Sequence, residues 1–233
     1  MKQKFKYYHG TSTIFLDSIR EMGLGAINPN IDYKNLDVLN YLFELAEVYL
    51  LTNNEYLKIR DTTTAIAKQT FLKVIDEKGN EFLHNYVHDG IYVALSRARA
   101  AIYASSNKYG SEILERCIVL YKLLTDNKIE FQIPKEINLF HIENYLDYDP
   151  KPIIVEIIDI ADDKLEKEDG GNAKEALDFL REKVPIWALA ACATGEYPIP
   201  KTCDQAQTHC PSCNPSLEEL ALYFQTELQL RSL

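Results

Sequence analysis

Tyr8-His9-Gly10-Thr11-Ser12, reached through the aromatic run Phe5-Lys6-Tyr7-Tyr8, is the stretch on which the reading of this chain turns. Residues 3–8 alternate and place Phe5, Tyr7 and Tyr8 at strand spacing, which predicts a first β-strand. His9-Gly10-Thr11 reads as the break that ends it. Ser12 or Thr13 then N-caps a short helix whose apolar positions Phe15, Ile19 and Met22 follow helical spacing. Gly23 is expected to stop that helix as a left-handed cap, with Leu24 packed behind it.

Outward from this opening, residues 28–88 read as a helical insertion. Asp37 starts a helix through LNYLFELAEVYLL, and a second helix is expected near residues 54–73. Asp76-Glu77-Lys78-Gly79-Asn80 reads as a hairpin tip between FLKVI and the EFLHNYV run. Gly90-Ile91-Tyr92-Val93-Ala94 leads a strand over Ile91–Leu95. Ser96 then caps a small-residue helix carrying Ala98, Ala100, Ala101, Tyr103 and Ala104. Residues 111–126 predict another helix, and 127–149 a polar, aromatic-rich connection.

Pro152-Ile153-Ile154-Val155-Glu156-Ile157-Ile158-Asp159-Ile160 is the clearest strand. Its near-continuous apolar run predicts burial on both faces. Asn172 and Glu175 open a helix to about Lys183. Gly195-Glu196-Tyr197 begins a last polar strand or turn, and Pro198 and Pro200 restrict that strand to a sheet edge or to its own end. Ser216 and Glu219 form a capping box for a C-terminal helix over about 216–231, with Leu217, Leu220, Ala221, Phe224 and Leu228 on its apolar face.

The 233 residues fit a single domain, 1–233, with the 28–88 insertion, and the 46% hydrophobic content is enough for an ordinary core. Tyr outnumbers Phe by 15 to 9, and amphipathic rings often line polar clefts. A net charge of −10 works against non-specific nucleic-acid binding, which needs Lys and Arg to displace counterions, although a local basic groove stays open. No run of about 18 apolar residues exists, so no membrane span is expected. The N-terminus MKQKFKYYHG lacks the apolar core and cleavage site of a signal peptide. The expected location is the cytoplasm, or a target cell entered without a cleavable signal. Cys203, His209, Cys210 and Cys213 offer zinc-type ligands. With one Cys-x-x-Cys pair, however, a polar loop of free thiols is the simpler reading, and no metal requirement is expected.

Tyr8-His9-Gly10-Thr11 resembles the first motif of the His-Tyr-Glu ADP-ribosyltransferases, the superfamily of diphtheria-type toxins and poly-ADP-ribose polymerases. Gly90-Ile91-Tyr92-x-Ala94, with Tyr103 eleven residues after Tyr92, resembles their second motif. A helix followed by a proline-led strand, Pro152–Ile160, matches in order. The resemblance covers about half the chain in three pieces. It implies an α+β fold: a split antiparallel β-sheet core with flanking helices, here with the helical insertion. It also implies NAD+ as co-substrate. The Gly10 backbone would bond the nicotinamide amide with Thr11 assisting, His9 would bond the adenosine ribose, and Tyr92 and Tyr103 would flank the ring. Chemical logic agrees, since breaking the nicotinamide–ribose bond passes through an oxocarbenium-like state that a carboxylate stabilises. Two flanking rings also keep water from the bond.

That carboxylate has two candidates. Glu196 lies 93 residues after Tyr103, about where the polymerase-like branch carries its Glu-Tyr. Glu156, 53 residues after Tyr103, sits in an apolar strand, as the glutamate of diphtheria-type toxins does. The separation of His9 and Tyr92 by 83 residues exceeds that of compact members and accommodates the insertion. The arginine that polymerases use near the donor phosphates has no counterpart after Gly23-Leu24; Arg97 and Arg99 are the nearest replacements. The activity implied is mono-ADP-ribosylation of a macromolecule, protein favoured over nucleic acid, by a microbial toxin or effector. An antitoxin, immunity or chaperone partner is expected with it. Two alternatives stand beside it: an RNA 2′-phosphotransferase-like enzyme, disfavoured by the lack of an arginine cluster, and a degenerate transferase fold that binds without turnover.

Overall fold

In the computed structural model, which describes residues 5–75, 79, 81–88, 90–158, 160–167, 171–183 and 227–230, strand β1 (Lys6–Ser12) does not stop at His9-Gly10-Thr11. It runs straight through them. The reason is its partner, β5 (Pro152–Ile158), which pairs antiparallel with every residue of β1, from Lys6↔Ile158 to Ser12↔Pro152. A continuous ladder overrides the local turn preference of a His-Gly pair.

The chain is α+β, and its described residues fall into two compact units. The first unit takes residues 1–12, 90–106 and 152 onward. Its sheet also contains β4 (Ile91–Ala94), β6 (Leu165–Lys167) and β7 (Glu227–Leu230), in the order β5-β1-β4-β7-β6 with every pair antiparallel. On one face Phe5, Tyr7, Val93, Leu95, Leu165 and Leu228 are buried with Ala173, Leu177 and Leu180 of α6 (Ala173–Lys183). Asn172 caps this helix, its side-chain oxygen accepting the Lys174 N–H at 2.9 Å. On the other face Tyr8 and Ile154 pack with Ala100 of α4 (Arg97–Ser106).

The second unit takes residues 13–89 and 107–151. After the short α1 (Leu16–Met22) come α2 (Asn35–Tyr49), α3 (Asn54–Ala67) and α5 (Glu112–Asp126). Val38, Leu39, Leu42 and Ala46 of α2 share a core with Ile113, Leu114, Cys117, Ile118, Leu120 and Leu124 of α5, closed by Tyr56 and Ile66 of α3. Side chains this deep contribute about 1.5–3 kcal/mol each. Asn53 accepts the Glu55 and Tyr56 N–H groups, and Ser111 accepts that of Leu114, so both helices start on side-chain caps. Strands β2 (Phe71–Ile75) and β3 (Glu81–Asn85) make a separate hairpin.

Three expectations are corrected. The second insertion helix ends at Ala67, before FLKVI becomes β2, and does not run to residue 73. Glu227–Leu230 is a strand, so a helix over 216–231 does not hold there; Leu228 is fully buried between β4 and β6. Finally, β5 is not buried on both faces. Among the described residues it is an edge strand of its sheet, with Pro152, Glu156 and Ile158 exposed.

Candidate functional site

β1 and β4 lie side by side in the sheet but are joined at one register position, Tyr8↔Ala94. Beyond it β1 continues to Ser12 on the β5 ladder, and β4 is held by β7 through four pairs, Ile91↔Leu230 to Ala94↔Glu227. What bridges the two central strands next is a side chain: His9 Nδ1 lies 2.8 Å from the Tyr92 carbonyl oxygen. A carbonyl only accepts, so Nδ1 carries the hydrogen and Nε2 is the acceptor nitrogen of the neutral ring. Burial pushes the His9 pKa down, opposed by the Tyr92 carbonyl, so the ring is neutral at physiological pH. Among the described residues Nε2 has no hydrogen-bond partner. The first motif therefore presents a fixed, acceptor-competent imidazole nitrogen beside Tyr92.

Gly10 faces Ile154 across the ladder and meets α4 on its open side. A Cβ there would fall on the Ala100 carbonyl oxygen and stand 2.8 Å from the Ala104 nitrogen. Glycine thus lets the backbone of α4 approach the backbone of β1. Tyr103 precedes Ala104, so the same contact sets the height of Tyr103 above the sheet. The Arg99 guanidinium lies 5.2 Å from the centroid of the Tyr103 ring, one helical turn away. Ser96 starts the helix, its hydroxyl accepting the Arg99 N–H at 3.4 Å. Tyr92 and Tyr103 are both half-buried. Thr11 is only 2% exposed, so its hydroxyl is enclosed by protein.

Of the two expected carboxylates, Glu156 falls among the described residues and Glu196 does not. Glu196 and the Cys203, His209, Cys210, Cys213 set lie outside the described residues. Glu156 is no buried acid: it stands opposite Tyr8 on the exposed edge strand and pairs with Lys6 Nζ at 2.7 Å. A glutamate not considered from sequence lies on the strand that pairs with β4. Glu227 begins β7 and is in register with Ala94, itself in register with Tyr8, so Tyr8, Ala94 and Glu227 form one row across three strands. Tyr92 and Gln229 pair in the same β4–β7 ladder, and Gln229 pairs onward with Glu166 of β6. The alternation of Glu227-Leu228-Gln229-Leu230 was the available signal, hidden because Leu220, Phe224 and Leu228 also fit a helical repeat.

The first unit thus gathers His9, Gly10, Tyr92 and Tyr103, with Glu227 on the next strand. Among the described residues no group of three or more His, Cys, Asp or Glu is arranged to hold a metal ion, and no helix is long and apolar enough to cross a membrane. Comparison with protein-family models, with curated proteins and with solved structures yields no match to this chain.

Proposed function

We propose that the chain is an NAD-dependent mono-ADP-ribosyltransferase, acting as a toxin or effector on a macromolecular acceptor. The observation that carries this reading is the single-position joint between β1 and β4. There the sheet splits, with His9 on one side, Tyr92 on the other and Tyr103 on the helix that follows. The strand order β5-β1-β4-β7-β6 supports it further, because β7 brings a glutamate into the row next to the split.

In this reading the neutral His9 ring accepts a hydrogen bond at Nε2 from a ribose hydroxyl. Tyr92 and Tyr103 hold the nicotinamide ring flat and exclude water. The nicotinamide–ribose bond breaks with its electron pair leaving on nicotinamide, whose ring loses its positive charge. The positive charge developing on the anomeric carbon is stabilised by a carboxylate, which we assign to Glu227 rather than Glu156, since Glu156 is neutralised by Lys6. A nucleophile of the acceptor then bonds to that carbon and gives its proton to solvent. The net charge of −10 favours a protein acceptor.

The test uses NAD labelled on its adenylate half, incubated with the protein and cell lysate, followed by separate protease and nuclease digestion. Wild type is expected to label macromolecules, with the label lost to protease. Glu227→Gln should reduce labelling by about 10²–10³-fold with unchanged thermal unfolding. Glu196→Gln run in parallel decides between the two carboxylates. Absence of label with intact NAD recovered would overturn the transferase reading.

A further inference from the structure

We propose that His88 is a proton-operated latch: when protonated it ties the base of the β2–β3 hairpin to the first turn of α5, and when neutral it gives up one of its two ties. All of its residues belong to the second unit, and the proposal does not depend on the transferase reading. His88 Nδ1 lies 2.8 Å from the Tyr86 carbonyl oxygen, and Nε2 lies 3.0 Å from Glu112 Oε2. A carbonyl oxygen and a carboxylate oxygen both accept, so each ring nitrogen has to donate. Gln69 Nε2 also approaches Nδ1, but at 3.4 Å, and it donates to the Ile66 carbonyl oxygen at 2.5 Å. The 2.8 Å contact therefore places a hydrogen on Nδ1. With both nitrogens donating, the ring is an imidazolium facing a carboxylate, and the two side chains are 17% and 37% exposed.

Three segments meet at this ring. Gln69 lies between α3 and β2, and its side-chain oxygen accepts the His88 N–H at 2.6 Å. The Tyr86 N–H donates to the Thr70 carbonyl oxygen at 3.2 Å, so the two ends of the hairpin are closed on each other here. Glu112 opens α5 beside its Ser111 cap. Gln69 is a non-glycine residue held at φ 48°. Such a left-handed position persists only where the surroundings enforce it, and these positions gather at switch regions. Two residues beyond His88, at Gly90, the chain leaves the second unit. The latch therefore fixes the point of exit.

Proton bookkeeping gives the switch its sign. A neutral ring carries one hydrogen and cannot serve two acceptors. Kept on Nδ1, that hydrogen leaves the Nε2 lone pair against the Glu112 carboxylate; moved to Nε2, it leaves Nδ1 against the Tyr86 carbonyl. One tie is lost either way, and the charge-assisted one is the stronger. The extra proton belongs to the closed state, so closure is favoured below the titration of the ring and lost as pH rises through it. Histidine changes charge between about pH 5 and 8, the range in which such switches work. Around the pair stand Glu115 and Arg116 on α5, Lys108 just ahead of it, and Tyr86 and His84 from the hairpin side. Burial pushes the Glu115 pKa up and the Arg116 pKa down. Burial, and then the Glu112 charge, raise the Tyr86 pKa, so its phenol stays neutral throughout. Glu112 and Glu115 favour the imidazolium, Arg116 and Lys108 oppose it, and Glu112 is the acid in contact with the ring.

The test is a nuclear magnetic resonance titration of the full-length protein, labelled with a heavy nitrogen isotope, across about pH 5 to 8. Imidazole nitrogen shifts read which ring atoms carry hydrogen. Amide exchange, corrected for the intrinsic effect of pH, reads closure at the His88 N–H. Both ring nitrogens of His88 are expected to be protonated at the acid end, with its amide about tenfold better protected there than at the alkaline end. Glu112→Gln keeps an acceptor but removes the charge, and should move the transition to lower pH. His84→Gln removes the neighbouring titrating ring and should leave the transition in place. A His88 ring that is neutral throughout, or protection that does not follow its titration, would overturn the proposal. So would a Glu112→Gln transition at the wild-type pH, or an equal displacement in His84→Gln. The central result comes from the wild-type protein, so misfolding of a variant cannot imitate it.

Discussion

Replacing Gly10 by alanine tests how the site is assembled. The added Cβ falls on the Ala100 carbonyl oxygen, and its 2.8 Å separation from the Ala104 nitrogen is 0.6 Å short of the 3.4 Å at which ordinary contact begins. Neither side can yield cheaply. β1 is fixed along seven register pairs with β5, and the obstructing atoms on α4 are backbone atoms of its own hydrogen-bond ladder. Overpacking costs about 1–3 kcal/mol, and an obstacle made of backbone belongs at the top of that range. Gly10 is not among the positive-φ glycines, so alanine recovers about 0.5–1 kcal/mol through the unfolded chain. The net expectation is about 2 kcal/mol, roughly 30-fold in the folding equilibrium. Urea unfolding combined with amide hydrogen exchange along the β1–β5 ladder would measure it for the first unit specifically. Ala100→Gly added to Gly10→Ala should give no rescue, because it removes no obstructing atom. A Gly10→Ala protein within about 0.5 kcal/mol of wild type, with unchanged exchange in β1, refutes the close-approach account.

Glu47→Ala should destabilise the second unit by about 2 kcal/mol in urea. It strands the fully buried Tyr56, whose hydroxyl donates to Glu47 at 2.5 Å, and unpairs Arg60, which grips the carboxylate at 2.7 and 2.8 Å. Arg60, and then Tyr56, hold the Glu47 pKa down at about 2. The folded value lies below the unfolded one, so this stabilisation is present above about pH 4.5 and is lost as pH falls toward 2. Acid unfolding of Glu47→Gln should be correspondingly less steep in that window. For His9 the folded pKa is likewise lowered, so on the transferase reading NAD affinity should be flat above the ordinary value of 6.5 and fall only when acid protonates the half-buried ring. A midpoint at or above 6.5 contradicts that. Cys117 is fully buried and its thiol pKa is pushed up by desolvation, so alkylation by iodoacetamide should track unfolding and not thiol titration. Glu156→Gln breaks an exposed pair and should cost at most about 1 kcal/mol while leaving transfer intact.

Much of the secondary structure was legible because it is local. The helix at 111–126 and the hairpin around residues 76–80 declare themselves through periodicity and turn residues. What failed depended on non-local partners. His9-Gly10-Thr11 carries turn residues, yet a strand contributed 142 to 146 residues later, in pairs from Thr11↔Ile153 to His9↔Val155, keeps it extended. The apolar run from Pro152 looked doubly buried because composition does not say which strand is an edge; Ile158 is 72% exposed. The Tyr92–Tyr103 spacing was visible at once, since strand and helix are contiguous. The pairing of Glu227 with Ala94, far upstream, was not, because the alternation of residues 227–230 marks a strand without announcing its register.

The hydrogen bonds at Thr13 and Lys151 bear on the order in which the chain folds. The Thr13 N–H donates to the Lys151 carbonyl at 2.9 Å, and the Lys151 N–H donates to the Thr13 hydroxyl at 3.0 Å, across a separation of 138 residues. Both residues belong to the helical unit, whose last residue is Lys151, so that unit is complete on the ribosome before β5 emerges. Once formed, it has already brought together the two points from which β1 and β5 depart, Ser12 and Pro152 being the first register pair beyond. Closing a loop of that length unaided costs roughly 4 kcal/mol of chain entropy. With the clamp in place, the most distant strand pairing among the described residues should nucleate like a hairpin. Removing the Thr13–Lys151 clamp should therefore leave the β1–β5 ladder slow to form.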